Sequence, residues 1–140
     1  MILFCDTSAL IKLYIVEEGS VALKKLVQEA EAVALSRIAW AEAYAALSRR
    51  AREVPEDVFV IEQAKLALAA DWPHFVVLEI DQSIVELAGD YADTFALRGY
   101  DSVQLASAFE AGRISQIPIF FACYDMRLNK AAKLLGMSCL

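Results

Sequence analysis

Two aspartates follow apolar runs that predict buried strands. Asp6 comes directly after the run Ile2–Cys5, and Asp125 comes two residues after the apolar run 117–123. In an open α/β sheet, the loops at the carboxyl ends of the strands converge on one crevice. The sequence therefore predicts that both carboxylates lie at that edge of a sheet.

Two further acidic residues belong to predicted helices. Asp101 begins a helix, and its carboxylate reaches the same edge if the helix points its N-terminus inward, where the helix dipole stabilises an anion. Glu42 lies inside a helix, and its neighbours one turn away are isoleucine and alanine, with no cation among them. Burying such a carboxylate is costly unless a partner comes from elsewhere in the fold.

Each of these acids also has a simpler explanation. Asp6 and Asp101 are suitable helix N-caps. Asp125 fits a turn, and Glu42 could face water beside the alanines. Convergence distinguishes the two explanations, because four carboxylates brought together repel one another and need cations or raised pKa values. All-oxygen ligation favours Mg²⁺ or Mn²⁺ over zinc, and such ions support phosphodiester hydrolysis by an activated water.

Other kinds of catalytic site fit the sequence poorly. Neither GxxxxGK[ST] nor GxGxxG is present, and the lone His74 is far from any arrangement of serine or cysteine that would suggest a triad. Three cysteines without CxxC spacing give a weak case for zinc or a disulfide. The net charge of −6 argues against broad binding of polyanions, although carboxylates gathered in a metal site would account for part of it.

Short apolar runs alternate with longer helical patterns throughout the chain. The sequence predicts strands at 2–5, 32–36, 75–78 and 117–123, with 137–140 as a short edge strand. It predicts helices from 9 to about 16, from a cap at Ser20 through 27, through Glu42 to 52, from 55 to about 70, from 81 to about 98, from 101 to 112 and from 127 to 135. Ser20 and Asp81 are the expected caps of their helices, and Gln104 forms a relative of a capping box with Asp101. Three glycines are expected stops: Gly99, Gly112 and Gly136.

This order predicts a single α/β domain over residues 1–140, with a central parallel sheet of four to five strands and helices on both faces. The 59% hydrophobic composition and mean hydropathy of +0.45 favour a sheet covered on both faces and make a dimer interface plausible. No apolar stretch reaches the ~20 residues that span a bilayer, and the N-terminus lacks the basic region of a signal peptide. We therefore expect a cytoplasmic protein.

Two groups of basic residues could line an approach for a polyanion. Arg49, Arg50 and Arg52 form the denser group, and Arg127, Lys130 and Lys133 recur at helical spacing. Solvated helix faces explain both groups at least as well.

The ordered set of short motifs resembles the PIN-domain ribonucleases, most closely the VapC-type toxins of bacterial and archaeal toxin–antitoxin pairs. The resemblance covers essentially the whole chain. The motifs that carry it are Asp6-Thr7-Ser8-Ala9-Leu10, the mid-helix Glu42, Tyr100-Asp101-Ser102, and Cys123-Tyr124-Asp125 followed by Leu128 and Gly136.

The resemblance implies a PIN-like three-layer sandwich and a metal site formed by Asp6, Glu42, Asp101 and Asp125. It implies that Ser8, or failing that Thr7, orients the first carboxylate. It further implies a homodimer, Mg²⁺-dependent or Mn²⁺-dependent cleavage of RNA, and inhibition by a cognate antitoxin protein. The chain departs from the family at Cys123, where a serine or threonine is common.

Three hypotheses follow from these observations. The leading one is an RNA endonuclease that acts as a toxin, and the second is a PIN-type nuclease that has no antitoxin. The third is a catalytically weak module that uses the same fold to dimerise or hold a partner. A stabilising response to Mg²⁺ or Mn²⁺ would separate the third hypothesis from the other two.

Overall fold

The structure, a computed structural model, describes residues 1–140 and contains one sheet of five parallel strands. The strands are β1 (Ile2–Cys5), β2 (Ala32–Ser36), β3 (Val76–Leu78), β4 (Ile119–Ala122) and β5 (Ser138–Cys139), and their order in the sheet is β3-β2-β1-β4-β5. Helices cover both faces of this sheet. The predicted α/β fold, a parallel sheet between two layers of helices, is therefore confirmed.

Two hydrophobic cores flank the sheet, because alternate residues of its strands point to opposite faces. In β1, Phe4 packs under the last three helices of the chain, whereas Leu3 packs against the first four. All four residues of β1 are buried, as expected for a parallel strand covered on both sides. The helices are α1 (Thr7–Lys12), α2 (Ser20–Glu29), α3 (Ala39–Glu53), α4 (Val58–Asp71), α5 (Gln82–Phe95), α6 (Gly99–Ser115) and α7 (Met126–Leu134).

The sheet has a topological switch point at β1. The chain passes from β1 to β2 on one side, and the later strand β4 pairs with β1 on the other side. The backbone N–H of Asp6 extends this pairing by donating to the carbonyl oxygen of Ala122 at 3.1 Å. Ligands of open α/β sheets bind in the crevice that such a switch point creates beyond the carboxyl ends of the strands.

The helix ends differ from the sequence predictions at several places. Helix α1 begins at Thr7 and ends at Lys12, whereas the sequence predicted 9–16. Ser20 is not a cap: it is the first residue of α2, and its hydroxyl donates to the carbonyl oxygen of Ile15 at 3.2 Å. Helix α4 is preceded by a 3-10 turn at Pro55–Asp57, so Pro55 lies just before the α-helix.

Two of the three predicted glycine stops are wrong. Helix α5 ends at Phe95, and Ala96 takes the left-handed conformation (φ 53°) that had been expected of glycine. Gly99 instead begins α6, and this helix continues through Gly112 to Ser115. Gly136, by contrast, follows α7 with a φ of 87° and ends that helix as predicted. None of the helices is long and apolar enough to cross a membrane.

Candidate metal centre

Asp6 joins β1 to α1 and is buried, with 6% of its surface exposed. As the N-cap of α1, it accepts a hydrogen bond on Oδ1 from the backbone N–H of Ala9 at 2.9 Å. The same oxygen accepts a second hydrogen bond from the Ser8 hydroxyl at 2.7 Å. Its other oxygen, Oδ2, accepts none from the protein, which leaves one lone-pair face of a fixed carboxylate free.

Burial raises the pKa of Asp6 from 3.8 to about 6. The hydrogen bonds from Ser8 and Ala9 oppose this rise, while the charges of Asp101 and Glu42 add to it. Asp6 therefore interacts electrostatically with two carboxylates that come from distant parts of the chain. A cation placed among them would favour the ionised form of all three.

Glu42 lies in the first turn of α3 rather than in the middle of the helix, because α3 begins at Ala39. Its Oε1 accepts hydrogen bonds from the Thr7 hydroxyl at 2.8 Å and from Nε2 of Gln104 at 2.9 Å. These donors come from α1 and α6. Glu42 has no cationic neighbour on α3, and other helices supply its hydrogen-bond partners. Its Oε2 accepts no hydrogen bond from the protein.

Asp101 and Asp125 line one cavity of about 510 Å³ at the N-terminal ends of α6 and α7. Asp125 is the N-cap of α7 and accepts a hydrogen bond on Oδ1 from the backbone N–H of Leu128 at 2.8 Å. Asp101 lies in the first turn of α6. Burial raises the pKa of Asp101, and the negative charge of Asp125 raises it further. The positive charge of Arg98 lowers the same pKa.

The four carboxylates share one structural property: each stands at the N-terminal end of a different helix. There the helix dipole partly offsets the repulsion between like charges. No three acidic, histidine or cysteine side chains are close enough to form a ready-made set of ligands for one ion. An ion held here would therefore be ligated by one or two carboxylates, with water completing its coordination.

The donor set suits a hard divalent cation. Mg²⁺ is usually bound through one or two carboxylates and keeps several of its waters, so it does not need a closed cage of protein ligands. Three of the four acids hold one oxygen in hydrogen bonds and leave the other free. Burial, together with the charge of Asp6, raises the pKa of the Cys123 thiol to about 12, so this sulfur is protonated near neutral pH and is a poor metal ligand.

Sequence reasoning missed Gln104 as part of this centre. Its predicted capping interaction with Asp101 does not form, because the N-cap of α6 is Arg98 and Asp101 is already inside the helix. Gln104 is instead buried, with 2% of its surface exposed, and its amide donates to Glu42 and to the Thr7 hydroxyl (3.2 Å). No local pattern could reveal this role, since both partners belong to other helices.

The four carboxylates at the carboxyl edge of the sheet are here called the acidic cleft. Together with the fold, they define a PIN-domain protein. The profile of the PIN domain matches residues 3–134, and the chain belongs to this family. Ribonuclease VapC45 of Mycobacterium tuberculosis (strain CDC 1551 / Oshkosh) is 33% identical over 140 residues, a match that covers 96% of this chain and 92% of that protein. Ribonuclease VapC46 of strain ATCC 25618 / H37Rv is 31% identical over 137 residues, covering 97% and 94%.

Solved structures share the fold. Mycobacterium tuberculosis VapC20, described as a sarcin-ricin loop cleaving toxin, superimposes with a TM-score of 0.68 at 20% identity, covering 92% of this chain and 94% of that one. VapBC-1 from nontypeable Haemophilus influenzae superimposes with a TM-score of 0.61 at 16% identity, covering 100% and 97%. At these identities the likeness shows the architecture.

Proposed function

We propose that this chain is a metal-dependent endoribonuclease and the toxin of a toxin–antitoxin pair. One observation carries the proposal: at the switch point of the sheet, a fixed and buried carboxylate, Asp6, interacts with the charges of Glu42 and Asp101 while its Oδ2 stays free. The names of the relatives as ribonucleases support RNA as the substrate. We propose that a single nuclease domain extends over residues 1–140.

Asp6, Glu42, Asp101 and Asp125 would hold one or two metal ions through their free oxygens and through bound waters, and Mg²⁺ or Mn²⁺ fits this donor set. A divalent cation held there would activate a water molecule for attack on phosphorus and neutralise charge on the phosphate. Ser8 orients Asp6 through its hydroxyl, and Thr7 orients Glu42. Fixing one oxygen of each carboxylate aims the other at the cleft, which reduces the reorganisation needed when charge develops during hydrolysis.

A protein partner is part of the proposal. Among the solved structures with this fold are a toxin–antitoxin complex from Klebsiella pneumoniae and VapBC-1 from Haemophilus influenzae, which supports an antitoxin for this chain. Helix α4 exposes Phe59, Val60 and Leu66, an apolar surface that an antitoxin or a second copy in a homodimer would cover. The cytoplasmic location expected from the sequence stays a prediction.

Incubation of the purified protein with total cellular RNA, with Mg²⁺ or with EDTA, tests the proposed activity. We expect discrete cuts with Mg²⁺ and none with EDTA. The new ends should lack a 2′,3′-cyclic phosphate, because water rather than the ribose 2′-hydroxyl attacks phosphorus. Asp6→Asn should abolish cleavage, since the amide cannot replace an ionised ligand.

Asp81→Asn is the matched control for Asp6→Asn. Asp81 is also a helix N-cap, accepting a hydrogen bond from Ile84 N–H at 2.9 Å, but it caps α5 outside the cleft. Its substitution should leave cleavage unchanged. Absence of Mg²⁺-dependent cleavage by the native protein would favour a binding module. An intact Mg²⁺-dependent activity in cells without any antitoxin would favour the nuclease that acts alone.

A further inference from the structure

The cavity at the N-terminal ends of α6 and α7 is lined by basic side chains as well as by its two acids. Asp101 and Asp125 belong to the lining of this space of about 510 Å³, and Arg98, Arg127 and Lys130 also line it. A metal site alone does not require three cations beside the carboxylates. Their presence indicates that the cavity also receives an anion.

None of these three cations forms a close ion pair, although the chain contains 19 acidic residues and the charge of Arg98 is near enough to lower the pKa of Asp101. No ion pair is formed by Arg98, Arg127 or Lys130, even with the two acids that line the same cavity. Most of the other cations are neutralised by ion pairs. The cations in ion pairs are Lys12, Lys25, Arg37, Arg49, Arg50, Lys65 and Arg113.

The other basic group of the sequence differs in this respect. Arg49 pairs with Glu53 at 3.1 Å, and Arg50 pairs with Glu17 at 3.3 Å. The denser of the two basic clusters is therefore largely neutralised within the fold. In the less dense cluster, on α7, Arg127 and Lys130 form no ion pair and line the cavity.

The local backbone strengthens this positive potential. Helix α6 has no side-chain cap, so its first N–H groups and its dipole remain directed at the cleft. Arg127 donates from Nη1 to the carbonyl oxygen of Ala96 at 3.1 Å, which fixes its guanidinium against the end of α5. The side chains of Arg98 and Lys130 make no hydrogen bond and no ion pair within the protein, so both are free to contact a ligand.

We propose that this cavity binds a backbone phosphate of the RNA substrate adjacent to the phosphate that is cleaved, with Arg98 and Lys130 as its contacts. The inference rests on the proposed function and defines the path of the RNA strand. The RNA enters or leaves the acidic cleft past the N-terminal ends of α6 and α7. The cations draw the backbone in, while the carboxylates repel any phosphate that is not neutralised. This arrangement confines the strand to one side of the cleft.

Binding measured without metal tests this inference separately from catalysis. The probe is a short fluorescein-labelled single-stranded polyuridine RNA, and anisotropy is recorded in EDTA over a series of salt concentrations. Each phosphate contact on a single strand contributes about 0.7 to the slope of log K against log salt. Arg98→Gln and Lys130→Gln should each lower the slope by about 0.7 and weaken binding about fivefold at ~0.1 M salt.

Arg52→Gln and Lys24→Gln are matched controls, because both side chains are exposed, form no ion pair and lie outside the cavity. They should keep the native slope. Equal losses in the controls, or native binding by both cavity variants, would overturn the inference. Melting temperatures close to the native value would show that the cavity variants are folded.

The two proposals fail in different ways. Mg²⁺-dependent cleavage together with unchanged binding by Arg98→Gln and Lys130→Gln would remove the phosphate site and leave the nuclease intact. Salt-dependent binding that these substitutions weaken, without cleavage under any metal, would support the phosphate site and remove the nuclease.

Discussion

Gln104 donates a hydrogen bond from Nε2 to Oε1 of Glu42 at 2.9 Å, and this contact joins helices from opposite faces of the sheet. Helix α6 packs on one core and α3 on the other, so the two residues meet beyond the strand ends. The Thr7 hydroxyl completes the contact from α1. The side chains of Gln104, Thr7 and Glu42 therefore connect the two layers of helices, and the same hydrogen bonds orient the Glu42 carboxylate.

Gln104→Glu should destabilise the protein by about 3–5 kcal/mol at pH 8, because it places a second carboxylate against Glu42 without a counter-charge. Burial and repulsion would raise the pKa of the introduced carboxyl group in the folded state. The stability is then greatest below the unfolded pKa of about 4 and is lost as the pH rises. Urea unfolding in EDTA at pH 5 and pH 8 measures the difference.

Gln104→Met is the control for charge, since it keeps the length of the side chain and removes only the hydrogen bonds. It should cost about 1–2 kcal/mol for the two lost hydrogen bonds. The cost should be the same at both pH values. A Glu variant with no more pH dependence than the Met variant would show that residue 104 does not face Glu42 in solution.

Gly112→Ala should destabilise the protein by about 1–3 kcal/mol through overpacking. A Cβ at this position would lie 2.9 Å from Cγ1 of Ile119, a buried residue of β4. Gly89→Ala is the matched control in α5, where a Cβ meets nothing within 4 Å. It should stabilise the protein by about 0.5–1 kcal/mol, as alanine does in a helix interior. Equal effects in thermal unfolding would contradict the close approach of α6 to β4.

The two glycines wrongly expected as stops show why helix ends were harder to predict than strands. The run Ile2–Cys5 predicts a strand, because a strand buried on both faces requires continuous apolar residues. Gly112 resembles a helix stop locally, but the structure requires it for the approach of Ile119, which lies across a loop and in another layer. Local sequence cannot distinguish a glycine needed for conformation from one needed for space.

The candidate site shows the same division between local and tertiary information. Asp6 and Asp125 were placed by the apolar runs that precede them, and each follows a strand at the carboxyl edge. The predicted pairing of Gln104 with Asp101 was wrong, because the interaction that forms spans three helices. A partner that is distant in sequence leaves no periodic pattern from which it could be predicted.

Without metal, the stability of the protein should fall as the pH rises from about 4 to about 6. The pKa of Asp6 is raised from 3.8 to about 6 on folding. A raised pKa means that the folded state holds the proton more tightly, so the stabilisation is complete below pH 4 and is lost through pH 6. For Asp6 the loss is on the order of 3 kcal/mol. Urea unfolding in EDTA across this range provides the measurement.

Asp6→Asn should remove most of this pH dependence, because the amide does not titrate and still accepts hydrogen bonds from Ser8 and Ala9. Asp101 contributes a smaller loss of the same sign, since its pKa is also raised. Asp81→Asn should keep the native profile. If Asp6→Asn has the same profile as the native protein, burial does not hold the proton on this carboxylate.

Mg²⁺ or Mn²⁺ should raise the melting temperature of the native protein, and the rise should be larger at pH 8 than at pH 5. The metal and the proton compete for the carboxylate of Asp6, so binding is weaker where that group is protonated. An ion present at 100 times its Kd stabilises the folded state by about 2.7 kcal/mol. Asp101→Asn should lose the shift, whereas Asp81→Asn should retain it. A native protein whose melting temperature is unchanged by either metal at pH 8 would exclude a metal centre formed by these acids.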